Sequence, residues 1–407
     1  MLEARPHNNL RLFNSLSQQI EPFVPLSDTG VGLYVCGVTP YDVGHLGHAL
    51  TSVAFDLLRR WLEFNGHEVT HIQNITDIDD DMVRVSEERG LTIKELTDAN
   101  HQIYLDEMSA LNILAPNLYP RVSETIPEII SAVANLVEKE VAYLRDGYVF
   151  FDSDKQQSLG DLIGLTNAEL LTFESDSMPA EPEELKRSPL DFLIWQPSSH
   201  AEASFESPWG VGRPGWHIEC SVMAQTHLGD RLDIHGGGKD LRYPHHASEI
   251  AQSEAFTGKT PYVSYWMHNG TMQLDGVKMS KSLGNLVKVS DLVQRKYSGN
   301  AVRLSLAQVH YREDRDYDSV ALAKCEELVT IFKNATLLSR SAGDPLSSQP
   351  YRSRFQAAMD NDLDSPAAAN ILIELANAII KGEVSTEAGR PSLIELAMVL
   401  GVDLEAN

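Results

Sequence analysis

The tetrad His45-Leu46-Gly47-His48 stands where an apolar stretch, Val31 to Val35, gives way to a helical pattern, and this junction constrains the fold more than any other segment. Leu50, Val53, Ala54, Leu57, Leu58, Trp61 and Leu62 recur at the i, i+3, i+4 spacing of an amphipathic helix, which Asn65-Gly66 stops. Gly32 to Cys36 reads as a buried strand and Glu68 to Gln73 as the next, so the chain begins as a βαβ unit. A helix N-terminus carries N–H groups without intrahelical partners and the positive end of the macrodipole, where a phosphate chain can rest. About 230 residues later, Lys278-Met279-Ser280-Lys281-Ser282 lies between Gly276 and Gly284. Its two ammonium groups are suited to charge that grows on departing pyrophosphate, which is stabilisation of a transition state. Taken singly, the first tetrad also reads as ordinary histidines at a helix start and the second motif as a solvated polar loop.

Composition bounds the class. The 407 residues, 43% of them apolar, allow two or three domains with a substantial core. The first thirteen residues lack an apolar h-region and no run approaches 18 apolar residues, so neither a signal peptide nor a membrane span is expected, and the default location is the cytoplasm. Cys36, Cys220 and Cys325 are too few and too scattered for a disulfide framework. Cys325, near Leu322 and Leu328, reads as an inert core thiol. A net charge of −25 repels nucleic acid over most of the surface, so an RNA partner would need a local basic patch.

Helical patterns cover Ile93 to Leu111 and, with Pro127 at the first position, run on through Glu128 to Leu144. Asp152 to Pro208 carries Pro, Ser and acidic clusters and reads as an insertion. Alternation resumes from Trp209 to about Val287, with Leu232 to Ile234 as a strand ending in glycines, where ligands favour the C-terminal strand end. Beyond Asn300 the pattern is helical. Ser339 to Arg352 reads as a linker, and Ser365-Pro366 as an N-cap and N1 pair opening the helix Ala367 to Ile380.

Cys36 ends the first strand, Cys220 begins a helix, and Glu249 lies one helical turn beyond His245 on the same face. These side-chain types make a plausible Zn²⁺ set, although cysteines 184 positions apart read equally well as two buried thiols. Three other patterns lead elsewhere. His67-Glu68-Val69-Thr70-His71 fits H-E-x-x-H, but the segment reads as a strand, where residues four apart lie roughly 13 Å apart, too far to chelate one ion. Gly210 to Gly215 fits G-x-G-x-x-G without a clear preceding strand. Asp79-Asp80-Asp81 reads as a solvated face.

The ordered pair of motifs resembles the class I aminoacyl-tRNA synthetases. Tyr34-Val35-Cys36-Gly37, Asn74-Ile75-Thr76-Asp77-Ile78-Asp79-Asp80, Pro214-Gly215-Trp216-His217-Ile218-Glu219-Cys220, and Asp233-Ile234-His235-Gly236-Gly237-Gly238 followed by Pro244-His245-His246 narrow the resemblance to the cysteinyl-tRNA synthetase family. It runs from about Leu10 to the C-terminus. It implies an α/β fold in which a Rossmann-like catalytic domain, carrying the HIGH and KMSKS motifs, is split by an insertion and followed by an α-helical bundle. The expected boundaries are 10–145 and 209–300 for the two catalytic halves, 146–208 for the connective insertion and 301–407 for the bundle.

The resemblance also implies the chemistry. One Zn²⁺ per chain is expected on Cys36, Cys220, His245 and Glu249, where it binds the sulfur of the substrate L-cysteine; a soft thiolate suits zinc and a serine hydroxyl does not, so no editing domain is required. Thr76 and Trp216 match the remaining contacts to cysteine. His45, His48, Lys278 and Lys281 match the catalytic groups, and Gly47, Gly236, Gly237, Gly238 and Asp240 join the two lysines in holding ATP with its Mg²⁺. His235 and His246 are weaker candidates. The expected partners are L-cysteine, ATP and tRNA(Cys), and the expected state is a monomer. The chain stops at Asn407, so a further anticodon-contacting region is expected to be missing. That truncation, Thr39-Pro40-Tyr41-Asp42, His310-Tyr311-Arg312-Glu313-Asp314 and the acidic charge lean toward a sister family, the mycothiol cysteine ligases, which acylate the amine of a glucosaminyl-inositol. Glu249 leans back toward the synthetases, the reading adopted here over that small amine acceptor and over a non-catalytic binder of cysteine or RNA.

Overall fold

The computed structural model describes residues 9–28, 30–156, 159–173, 181–280, 283–295, 297–338 and 347–405. Four parallel strands form the central sheet in the spatial order Val263–Asn269, Leu232–Gly238, Gly30–Val38, Glu68–Ile75. From Gly30–Val38 the chain crosses through the helix Leu46–Phe64 to Glu68–Ile75 on one side, whereas Leu232–Gly238 lies on the other. The order therefore reverses beside Gly30–Val38, and such a switch point opens a crevice at the carboxyl ends of the strands. Cys36 and Gly236 stand at those ends, Val35 being in register with Gly236.

Alternation along the strands decides which side chains meet. Leu33, Val35, Ile234 and Met267 join the core under the helix Leu46–Phe64, which also takes in Phe55, Trp61, Val302 and Leu396. Tyr34, Cys36 and Trp266 join the opposite core with Cys220 and Ile218 of the helix Trp216–Leu228. The parity of one strand thus turns Cys36 toward Cys220. The first of these cores runs without a break into the C-terminal helices Gly299–Ala307, Ser319–Leu337, Gln349–Asp360, Ser365–Ile380 and Thr386–Val399.

Several elements differ from the sequence reading. The helix expected to reach Leu144 spans Ile126–Glu138, and Ala142–Arg145 is a strand paired antiparallel with Tyr148–Phe151. Asp146 and Gly147 between them have φ of 51° and 86°, the conformation that a two-residue hairpin turn demands. Phe192–Pro197 and Gly212–Pro214 complete that four-stranded sheet, so the region read as irregular contributes a strand to it. Of the expected linker, residues 339–346 lie outside the described residues, and Gln349 already begins a helix with a proline in its first turn. Asp364 caps Ser365–Ile380, accepting from Ala367 N–H at 3.0 Å. Asp79 likewise caps Asp80–Arg89 by accepting from Asp81 N–H, so it has a local structural partner. Glu68 to His71 fall on a strand with His67 just before it, and Gly212–Pro214 is a strand, not a nucleotide turn. No helix among the described residues is long and apolar enough to cross a membrane.

Candidate active site

Cys36, Cys220, His245 and Glu249 converge, their ligand atoms all within 4.8 Å of one another, and all four are buried. Tetrahedral zinc, with bonds of about 2.3 Å to sulfur and about 2.0 Å to nitrogen or oxygen, needs edges of about 3.8 Å for S–S, about 3.5 Å for S–O and about 3.3 Å for N–O. The corresponding separations are 3.8 Å between the two sulfurs, 3.6 Å from Cys36 Sγ to Glu249 Oε1, and 3.2 Å from His245 Nε2 to Glu249 Oε1. Charge tells the same story. Burial, followed by the neighbouring Cys220 sulfur, pushes the Glu249 carboxyl well up, and burial together with Cys220 and Glu249 does the same to the Cys36 thiol. Burial and the nearby imidazoles hold His245 far below its usual range, so its imidazole is neutral, the form a metal would need. A carboxyl and a thiol crowded in a dry site take their anionic forms only beside a cation, and Glu249 Oε2 has no hydrogen-bond partner among the described residues.

A second set overlaps the first. Cys36 and Glu249 also lie with His235 and His246, at 3.5 Å from Cys36 Sγ to His235 Nε2 and 3.2 Å to His246 Nε2. Its His246–Glu249 edge is 4.0 Å, longer than the about 3.3 Å that a tetrahedral ion sets. His246 Nδ1 instead pairs with His268 Nε2 at 2.7 Å, and His268 Nδ1 with Ser15 Oγ at 2.8 Å. His217, three residues before Cys220, meets His245 Nδ1 through its own Nδ1 at 2.9 Å, the kind of outer contact that orients a ligating imidazole. The sequence reading did not single out His217, His268 or Ser15. For His217 the i, i+3 spacing from Cys220 was an available signal.

Trp216 opens its helix and stacks on His245, with ring centroids 4.2 Å apart and 26° between planes. Thr76 is buried just past Glu68–Ile75, its Oγ1 accepting from Asn74 Nδ2 at 3.1 Å while Asn74 Oδ1 accepts from Gly37 N–H. The two cysteine-contact candidates therefore flank the metal-ligand cluster.

The first tetrad sits where the sequence placed it. His45 is the N-cap of Leu46–Phe64, its Nδ1 accepting from Gly47 N–H at 3.0 Å, while His48 Nδ1 accepts from His45 N–H at 3.3 Å. A neutral imidazole that accepts at Nδ1 carries its proton on Nε2, so each ring has an N–H donor as well as an acceptor. Gly236 also answers a packing need. A Cβ there would lie 2.1 Å from the ring of Phe55, so the glycine makes room for the helix Leu46–Phe64 to approach the sheet. Gly237 and Gly238 continue the same strand end. Asp240 Oδ2 accepts from Lys278 Nζ at 2.9 Å, which ties the second motif to the glycine segment. Lys281 lies outside the described residues.

Comparison with known proteins defines first the class. The model of the tRNA synthetase class I (C) catalytic domain matches residues 22–327, and the fold agrees with it. Among solved structures, methionyl-tRNA synthetase of Mycobacterium tuberculosis in complex with methionyl-adenylate superposes with a TM-score of 0.61 at 16% identity, over 92% of this chain and 88% of that one. The ternary LeuRS-tRNA-LeuAMS complex from Agrobacterium radiobacter K84 gives a TM-score of 0.68 at 12% identity, over 93% and 84%. Sequence narrows the class. A cysteine–tRNA ligase of Dehalococcoides mccartyi is 40% identical over 97% of this chain and 87% of its own length, and one of Brevibacillus brevis is 39% identical over 97% and 88%. The chain belongs to the cysteine–tRNA ligase family.

Proposed function

We propose that this protein uses Mg·ATP to convert L-cysteine to cysteinyl-AMP and then passes the cysteinyl group to tRNA(Cys), acting as a cytoplasmic monomer. The observation that carries the reading is the buried Cys36–Cys220–His245–Glu249 cluster at the switch point, beside the helix that begins with His45. Of the two overlapping sets, this one has the better edges and two sulfurs, which favours zinc. Bound there, zinc would supply a soft acceptor for the substrate thiolate, which a serine hydroxyl does not match.

The protein's own groups then orient the reaction. Trp216 and Thr76 hold the amino acid so that a carboxylate oxygen attacks the α-phosphorus in line; the bond from that phosphorus to the bridging oxygen breaks, and pyrophosphate departs with its electron pair. His45 and His48 donate Nε2–H to phosphate oxygens, and Lys278 and Lys281 neutralise the charge of the leaving group. Gly47 and the segment Gly236, Gly237, Gly238 and Asp240 take the rest of the nucleotide. In the second step the terminal adenosine hydroxyl of tRNA attacks the acyl carbon and AMP leaves. Residues 10–145 and 209–300 act as one catalytic unit, a division supported by a central sheet with strands from both, with 146–208 inserted and 301–407 as the bundle.

Cysteine-dependent ATP–pyrophosphate exchange tests the first step, and incubation with labelled cysteine and either total tRNA or glucosaminyl-inositol tests the second. Exchange followed by charging of tRNA at cellular salt is expected. Absence of exchange, or formation of the amide alone, would overturn the proposal.

A further inference from the structure

Between the two nucleotide motifs lies a side chain that neither contains. Glu107, on the helix Ile93–Ala110, is 5% exposed. Its Oε1 accepts from the backbone N–H of Ser290 at 3.1 Å, in the first turn of Val289–Gln294, a short helix with no side-chain cap of its own. Its Oε2 is buried and has no partner among the described residues. That oxygen is directed at the segment before the first tetrad: a Cβ on Gly44 would lie 2.9 Å from it and 3.9 Å from His48 Nδ1. A separate backbone bond, Leu46 N–H to Val287 O at 2.8 Å, joins the same two segments. Met279 N–H to Met272 O at 2.9 Å and Asn285 Oδ1 accepting from Ser280 N–H at 3.0 Å fix the base of the lysine segment.

We propose that Glu107 is a positioning residue for adenylate formation, a latch that fixes the segment trailing the lysine motif against the segment leading into the histidine motif. The assignment rests on the function proposed above. The histidines and lysines act on one triphosphate from opposite sides, so their separation must be set before the bond breaks, and the helix Ile93–Ala110 adds to the Leu46–Val287 bond by holding Ser290 N–H through Oε1 with Oε2 packed toward Gly44. Gly44 is part of the latch, because a Cβ there would crowd Oε2 at 2.9 Å and push the carboxyl away from its position. Glu107 touches no substrate, and its influence is confined to the step in which pyrophosphate leaves. Transfer from preformed cysteinyl-AMP, after pyrophosphate has gone, does not need it.

The test is pre-steady-state kinetics on the full chain, with adenylate formation and transfer from preformed adenylate measured separately. Wild-type exchange is the control: if it is absent, the functional reading fails, and if it is present the variants report on the latch alone. Glu107→Ala is expected to slow adenylate formation about 10- to 100-fold, the size of effect that misplacement of reacting groups produces. The transfer rate, the KM for cysteine and the bound metal should stay as in wild type. Glu107→Gln keeps an oxygen acceptor for Ser290 N–H and should recover most of the loss. Gly44→Ala should reproduce the Glu107→Ala defect, and the double variant should be no slower than the worse single one. Equal losses in both steps, a shifted KM for cysteine, or unchanged adenylate formation in Glu107→Ala would overturn the proposal.

Discussion

Replacing Asp56 with alanine should destabilise the protein by about 3–5 kcal/mol, the cost of breaking a buried ion pair by removing one partner. Asp56 is 2% exposed on the helix Leu46–Phe64, and its Oδ2 faces both Arg303, which is fully buried, and Arg60 Nε at 2.7 Å. Its Oδ1 accepts from Leu114 N–H at 2.8 Å. The guanidinium groups have carbonyl acceptors as well: Arg303 reaches Leu400 O and Leu111 O, and Arg60 reaches Met398 O and Asn112 O. Those bonds survive the substitution, but two cations are left in the core without an anion. Asp56→Asn should cost nearly as much, because its NH₂ must face either the two guanidinium groups or Leu114 N–H. Urea unfolding followed by circular dichroism measures the loss, and a drop below about 1 kcal/mol, the range of a surface bridge, would refute the reasoning. The pH dependence follows. Burial raises the Asp56 carboxyl, but the charges of Arg303 and Arg60 outweigh it and hold it below the usual carboxylate range. A depressed folded pKa contributes stability above the unfolded value of about 3.9, and that stability is lost as pH falls through the folded value. The gap between wild type and Asp56→Ala should therefore be constant near neutrality and close only in acid.

Gly236→Ala should lower the denaturant midpoint by the equivalent of about 1–3 kcal/mol, since its Cβ would meet the Phe55 ring at 2.1 Å, and a smaller side chain at Phe55 should restore part of it. Lys278→Ala breaks a half-exposed bridge to Asp240 and should change stability by less than about 1 kcal/mol. The same variant should slow pyrophosphate exchange by about 10²- to 10³-fold, so a thermal melt and an exchange assay on one preparation separate the two roles.

Local pattern made the helix after the first tetrad legible, because Leu50 through Leu62 repeat with the period of the surface they bury. The same is true of the strand through Cys36, which runs Gly30–Val38. Sheet order is not a local property. Nothing near Cys36 states that the strand Leu232–Gly238 lies beside it, so the cluster was accessible to sequence reading only through resemblance to a family, not through spacing. The missed hairpin at Ala142–Phe151 had a local signal, Asp146-Gly147, that the preceding helical period obscured. Asp240, expected in the ATP segment, also anchors Lys278, and Gly236 of the same segment also makes room for Phe55. Each of these is a contact between segments distant in the chain, where a residue's type is visible and its partner is not.

Elemental analysis of the purified protein, run beside Cys220→Ser and Glu249→Gln, bears most directly on the sulfur-selective centre. The account predicts one zinc per wild-type chain and a marked loss from both variants while their far-ultraviolet spectra stay native. Wild-type protein free of zinc, or variants that keep the full complement, would contradict it.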